Sequence, residues 1–206
     1  MIKNFKLKMV LGVMALLVGM FSTQINAYTI EEFTSALSCS DILRTKLILK
    51  ENPEFINTKI ENSYYGKCTP LALAVHYCNR DNVRLLLEYG ADPNIPDDIG
   101  RIPLHFAPSE NIANILLSHG AEIDAVDEDG KTPLHYAAMK DNYYVGMLLV
   151  NKGADVTKVD KYGYTALKYA KETISKEVTI GRFTTSRLDS IIWHKENELK
   201  KSTNNV

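Results

Sequence analysis

No segment of the 206-residue chain is apolar for the roughly 20 residues that a membrane-spanning helix needs. The longest apolar run, residues 9–21, covers 13. Charge of one sign is also lacking: 24 basic residues stand against 25 acidic ones, a formal net charge of −1. Nucleic-acid binding leans on clustered Lys and Arg against phosphate, so that partner class is excluded from the reading. Catalytic signatures are absent too. There is no Cys-x-x-Cys, no histidine pair at i, i+4, no Gly-x-Ser-x-Gly and no glycine-rich phosphate or dinucleotide loop. Neither a metal nor a cofactor is expected, and no catalytic residue is assigned.

What the chain has in quantity is repetition. Thr69-Pro70-Leu71-Ala72-Leu73-Ala74, Ile102-Pro103-Leu104-His105-Phe106-Ala107 and Thr132-Pro133-Leu134-His135-Tyr136-Ala137 recur, with a degenerate copy at Thr165-Ala166-Leu167-Lys168-Tyr169-Ala170. Their spacings are 33, 30 and 33 residues. Gly90-Ala91-Asp92, Gly120-Ala121-Glu122 and Gly153-Ala154-Asp155 keep the same step. Two marks at one period predict a stacked array.

The unit from Asp127 to Ala154 shows why it repeats. Asp127-Glu128-Asp129-Gly130 is turn chemistry. Thr132 can cap a helix that Pro133 opens, at the position where no N–H is needed. Leu134, Ala137 and Ala138 give that helix a small apolar face, and Asp141-Asn142 ends it. Val145, Leu148 and Leu149 form a second helical stripe, which Gly153 stops. Helices this short do not persist alone in water, so each must bury its stripe on the next unit.

The Thr-Pro-Leu-His-x-Ala string, the Leu-Leu pair and the Gly-Ala-Asp stop resemble the ankyrin repeat, strongly over residues 64–170 and weakly over 29–63. The resemblance implies an all-α solenoid of stacked helix-turn-helix units with β-hairpin fingers. It also implies that His105 and His135 hydrogen-bond between neighbouring units. The activity it implies is protein–protein binding through the fingertips and first helices, without catalysis. Four parts follow: 28–63 as an N-terminal capping repeat, 64–96, 97–126 and 127–159 as repeats, 160–170 opening a last unit, and 171–206 as a loop and closing helix. The third unit departs from the pattern. It is three residues short, and Pro108 stands where an alanine normally continues the first helix. A shortened helix and a dent in the concave face are expected there. After Ala170, a polar loop is expected over 172–185 and an amphipathic helix over 186–200, with Trp193 packed over the last repeat.

At the start of the chain, Lys3, Lys6 and Lys8 precede the apolar run, and Ser22-Thr23-Gln24-Ile25-Asn26-Ala27 follows it. This reads as a signal peptide over 1–27, cut after Ala27, although Ile25 is bulkier than the usual residue at its position. The alternative is a buried or anchoring helix. Export, periplasmic or secreted, and a bacterial-type origin follow from the first reading. The mature chain would carry a net charge of −4. Export permits disulfides. Cys39 and Cys78 fall near the ends of the first helices of adjacent units and are the candidate pair; Cys68 lies roughly 15 Å along the helix from Cys78, too far to bridge it. Three free thiols are the alternative. A dyad of His76 with Cys68 or Cys78 is a weak catalytic candidate.

The candidate binding residues are at the fingertips, where framework positions repeat and the others vary. They are Tyr64, Tyr65, Asp98, Arg101, Glu128, Asp129, Lys131, Lys161, Tyr162 and Tyr164. The middle tips are acidic and the outer ones carry tyrosine, a residue that brings apolar area and a polar handle to interfaces. A protein partner with a basic centre and apolar edges is expected, on a monomeric array. The alternatives are an enzyme with a site in 171–206, near Trp193 and His194, or a scaffold without a specific ligand.

Overall fold

The computed structural model describes residues 28–62, 66–179 and 188–203. The signal-peptide reading therefore lies outside the described residues, as do Tyr64 and Tyr65. Helix pairs stack one after another: α1 (Ile30–Ser38) with α2 (Ile42–Glu51), α3 (Pro70–His76) with α4 (Arg80–Glu88), and α6 (Pro133–Met139) with α7 (Tyr143–Asn151). In the third unit the first helix shrinks to a single 3-10 turn, Pro103–Phe106, before α5 (Glu110–Ser118). Helices α8 (Ala166–Thr179) and α9 (Leu188–Thr203) close the array.

Local chemistry sets these boundaries. Thr29 and Glu32 form a reciprocal capping box at α1, the Glu32 N–H donating to Thr29 Oγ1 at 3.2 Å and the Thr29 N–H to Glu32 Oε2 at 3.1 Å. Asp41, Thr69, Asn79, Ser109 and Asn142 cap the helices that follow them. Gly90, Gly120 and Gly153 take φ of 88°, 87° and 93° at the predicted stops. Leu37, Leu71, Leu86, Leu104, Leu116, Leu134 and Leu149 run through the stack as its buried spine. Each contributes roughly 1.5–3 kcal/mol by leaving water.

Polar ladders fix the step between units. Asn57 Oδ1 accepts the Asp92 N–H at 3.0 Å, Asn94 Oδ1 the Glu122 N–H at 2.8 Å, and Asp124 Oδ1 the Asp155 N–H at 3.0 Å. The histidines make a second ladder: His105 Nε2 is 3.1 Å from the Lys131 carbonyl and His135 Nε2 is 3.0 Å from that of Tyr164. Nδ1 of each ring accepts a backbone N–H, from Ile102 at 3.2 Å and from Thr132 at 3.1 Å. These partners assign the Nε2–H tautomer to both. Ala72 occupies the same place in the second unit, so that joint has no histidine tie.

Three expectations are corrected. The polar segment from Glu172 is not a loop at its start: α8 continues to Thr179. Thr173 Oγ1 donates to the Tyr169 carbonyl at 3.0 Å and lies 3.4 Å from that of Ala138 on α6, and the Lys168–Glu172 pair at 3.3 Å supports the same turn. Trp193 is 52% exposed; Leu188 and Ile192, both fully buried, pack α9 onto the array instead. The Cys39–Cys78 bridge is absent, and all three cysteines are free thiols. The two positions are one step out of register. Cys39 is the C-cap of α1 at φ −85°, whereas the C-cap of α3 is Tyr77, and Cys78 follows it at φ 55°.

α9 docks at Gly146 of α7. A Cβ there would lie 2.4 and 2.7 Å from the methyl carbons of Leu188. Gly146→Ala is expected to cost a net ~1–2 kcal/mol, overpacking outweighing the ~1 kcal/mol gain in helix propensity. A urea-melt double-mutant cycle with Leu188→Ala checks it: the two losses should be sub-additive, and strict additivity would show that the two residues do not touch.

Candidate binding surface

The finger loops follow one another along the stack, one before each unit, and are joined to one another. The first is a two-stranded hairpin, β1 (Ile60–Asn62) with β2 (Gly66–Cys68), Ile60 facing Cys68 and Asn62 facing Gly66. The next three close as tight turns around a buried aspartate. Asp97, Asp127 and Asp160 each accept two backbone N–H groups on Oδ1, two and four residues ahead, at 2.8–3.1 Å. The second carboxylate oxygen then differs. In Asp127 and Asp160 it accepts the hydroxyls of Tyr136 at 2.8 Å and Tyr169 at 2.6 Å. In Asp97 it binds Arg101 through Nε at 2.8 Å and a terminal guanidinium nitrogen at 2.7 Å.

Neighbouring tips are cross-linked. The Lys67 N–H donates to Asp98 Oδ2 at 3.1 Å, the Glu128 N–H to the Ile99 carbonyl at 3.1 Å, and the Lys161 N–H to the Asp129 carbonyl at 2.8 Å. The Asp129 carboxylate bridges two cations, Lys131 at 2.6 Å and Lys161. The hydrogen bonds from Lys131 and Lys161 hold Asp129 below the ordinary carboxylate range, and the bond to Asp129 raises Lys161. The Tyr162 ring lies between the same two ammonium groups, 5.1 and 5.2 Å away. Tyr164 stacks edge-on with Tyr169 at 5.7 Å and lies under Lys168.

The sequence-derived candidates therefore divide. Asp98, Glu128, Lys161, Tyr162 and Tyr164 face solvent, with Tyr162 at 59% exposure. Lys131 is only 7% exposed and belongs to the finger's interior. Arg101 is half-buried, its guanidinium 5.6 Å from the Phe106 ring. Ile99, exposed beside Asp98, escaped the sequence reading because a hydrophobic residue in a turn carries no pattern of its own.

The sequence reading also missed the composition of the dent. Where Pro103–Phe106 stops early, a groove of about 470 Å³ opens between His76, Phe106, Pro108 and Lys140. The His76 ring stacks on Phe106, centroids 3.9 Å apart and planes 7° from parallel. Burial, then Arg101 and Lys140, push the His76 imidazole down to about 4. His105 and His135 are held below their ordinary value as well, chiefly by burial. Burial, then Asp97, pushes the Cys68 thiol up to about 11, far from thiolate character. Cys78 Sγ points at the His76 carbonyl, 3.9 Å away, rather than at its ring. Among the described residues no group of three or more His, Cys, Asp or Glu side chains could hold a metal ion, and no helix is long and apolar enough to cross a membrane.

The sequence profile of the family described as ankyrin repeats (3 copies) matches residues 35–127 and 104–179. No curated protein sequence matches the chain.

Proposed function

The chain belongs to the ankyrin-repeat family, and on that premise we propose that it is an exported, monomeric module that captures another protein on its fingertips and first helices. Ankyrin repeats are generally protein–protein interaction modules, and the family is typically non-enzymatic. The observation that carries the reading is the row of tips itself. Hydrogen bonds from finger to finger hold the tips in fixed order, while Asp98, Ile99, Glu128 and Tyr162 project from them into solvent. A rigid edge with large side chains already in place loses little conformational entropy on binding.

The structure alters the expected charge of the partner-facing edge. Asp129 is neutralised by two lysines, so the acidity available to a partner rests on Asp98 and Glu128. Support for export is the basic, apolar and small-residue order of residues 1–27. Mass spectrometry of the protein from cell fractions tests this part: a chain beginning near Tyr28 outside the cytoplasm is expected, and an intact cytoplasmic chain would refute export.

The binding surface is tested by replacing Ile99, Glu128 and Tyr162 together with alanine. Because all three are exposed, the circular-dichroism melt should be nearly unchanged, while affinity for the captured partner falls ~100-fold or more, as expected when hot-spot side chains are removed. Unchanged capture would place the interface elsewhere.

A further inference from the structure

One apolar side chain recurs at the same place in three successive fingers. Pro96, Val126 and Val159 each stand immediately before the buried aspartate that holds the finger, Asp97, Asp127 and Asp160. All three are exposed, Val126 at 52% and Val159 at 55%. The turns share one geometry. In each, the aspartate N–H donates to the carbonyl four residues ahead at 2.9–3.0 Å, and the glycine N–H donates to the aspartate carbonyl at 2.9–3.2 Å. Side chains at equal positions of equal turns stand in a row, one per repeat step. A single exposed apolar residue needs no explanation, but a row that keeps its register through three fingers does.

Charge beside the row is uneven. Residues 92–101 carry three acids and one base, 122–131 five and one, and 155–164 two and two. Ion pairs within the fingers engage Arg101 with Asp97, and Lys131 and Lys161 with Asp129. Asp127 and Asp160 are buried. Asp92 and Asp98 then remain on the second finger, Glu122, Asp124 and Glu128 on the third, and Asp155 with Lys158 on the fourth. None of these forms an ion pair among the described residues. Exposed bases lie to either side, Lys59 and Lys67 at the first finger and Lys152, Lys158 and Lys161 at the fourth. The row is therefore negative beside Pro96 and Val126 and balanced beside Val159.

We propose that this row binds a partner segment in the polyproline II conformation, with an apolar anchor at every third residue and Lys or Arg next to the two anchors that meet Pro96 and Val126. The inference rests on the fingertip reading above and names the partner's chemistry there. The step of the stack selects the conformation. Packed helices lie roughly 8–10 Å apart, and each finger is carried by its unit. Polyproline II returns to the same face every three residues, about 9.3 Å. A β-strand returns every two, about 6.8 Å, and falls out of step by the next finger. An α-helix returns after seven residues, about 10.5 Å, but its apolar stripe is continuous, and half of it would lie between the anchors. The unpaired carboxylates of the second and third fingers select the cations. A preformed polyproline II segment also loses little conformational freedom on docking.

The test is fluorescence anisotropy of labelled ten-residue peptides against the chain. The probe is Pro-Lys-Val-Pro-Arg-Val-Pro-Ser-Val-Pro, with the same sequence read backwards, since the row does not select chain direction. One of the two should bind saturably, with a Kd below about 1 mM. Val126→Ser combined with Val159→Ser should weaken it ~10-fold or more, the scale of two lost apolar contacts. Both side chains are exposed, so the circular-dichroism melt should be nearly unchanged. Replacing the probe's Lys and Arg by Glu should weaken it to a similar degree. Two further probes separate the other conformations: the same ten residues with valine at every second position, and an amphipathic helix of equal charge. Binding of either that matches the first probe would overturn the proposal. So would no binding in either direction, or indifference to the valine variant or to the charge replacement. If the peptides fail while capture of the protein partner still needs Ile99, Glu128 and Tyr162, the fingertip reading stands and the segment proposal falls. If the peptides bind through Val126 and Val159 while capture ignores the fingertip variant, the fingertip reading falls and the segment proposal stands.

Discussion

Gly100→Ala is expected to destabilise the protein by about 3 kcal/mol, combining ~1 kcal/mol of left-handed strain with overpacking. Gly100 sits at φ +83°, and an added Cβ would meet Glu128 N at 2.9 Å, Asp127 Cα at 3.1 Å and Asp127 C at 3.2 Å. All three are backbone atoms, so no rotamer change relieves the clash. The second and third fingers would have to part, stretching the hydrogen bond from the Glu128 N–H to the Ile99 carbonyl. Two other tip glycines provide the internal scale. A Cβ at Gly130 would come no closer than 3.4 Å to the next finger, and at Gly163 nothing lies within 4 Å. Urea denaturation of the three alanine variants should rank the losses Gly100, Gly130, Gly163, the last near the bare left-handed cost of ~1 kcal/mol. Equal losses would mean that the fingers do not touch as described.

The second large effect is a loss of stability in mild acid. His76 is held down to about 4 by burial and two nearby cations, against about 6.5 in an unfolded chain. Between those values the unfolded chain binds more protons, so stability falls as pH drops through 6.5 and the His76 contribution levels off near pH 4. The full shift corresponds to ~3 kcal/mol, and partial solvent access of the ring reduces this to about 2 kcal/mol. His105 and His135 act in the same direction. Nδ1 of each accepts a backbone N–H, which a protonated ring cannot do. Asp129 and Asp155 are held below the ordinary carboxylate range and stay charged throughout this window. Denaturation midpoints should therefore decrease from pH 7 to pH 4.5, and His76→Phe should remove part of that slope while keeping the stack on Phe106. A flat profile would contradict the neutral, buried state of these rings.

The local grammar of the fold was legible from the sequence. Thr69 and Pro70, Thr132 and Pro133, and the glycines at 90, 120 and 153 mark boundaries because each acts through its own backbone. The shortened third unit was legible from Pro108 for the same reason. What the sequence could not show depends on residues meeting across units. Trp193 is the most hydrophobic-looking side chain of α9, yet Gly146 provides a notch only for Leu188. Asp129 reads as part of an acidic tip until Lys161, from the next unit, arrives beside it. His76 belongs to no repeated position, and its neighbour Phe106 lies one unit further on. The extension of α8 to Thr179 likewise depends on contact between Thr173 and α6.

The missing histidine at Ala72 bears on how the array responds to load. The later joints carry a side-chain strut from each first helix into the next unit, at His105 and His135. The joint between the second and third units has no such strut, and on its far side the first helix is reduced to the single turn Pro103–Phe106. A pull or twist along the stack is therefore concentrated there. That seam crosses the floor of the dent, where His76 and Phe106 meet from opposite sides, so tension on the array is felt first by the groove most distinctive of this chain.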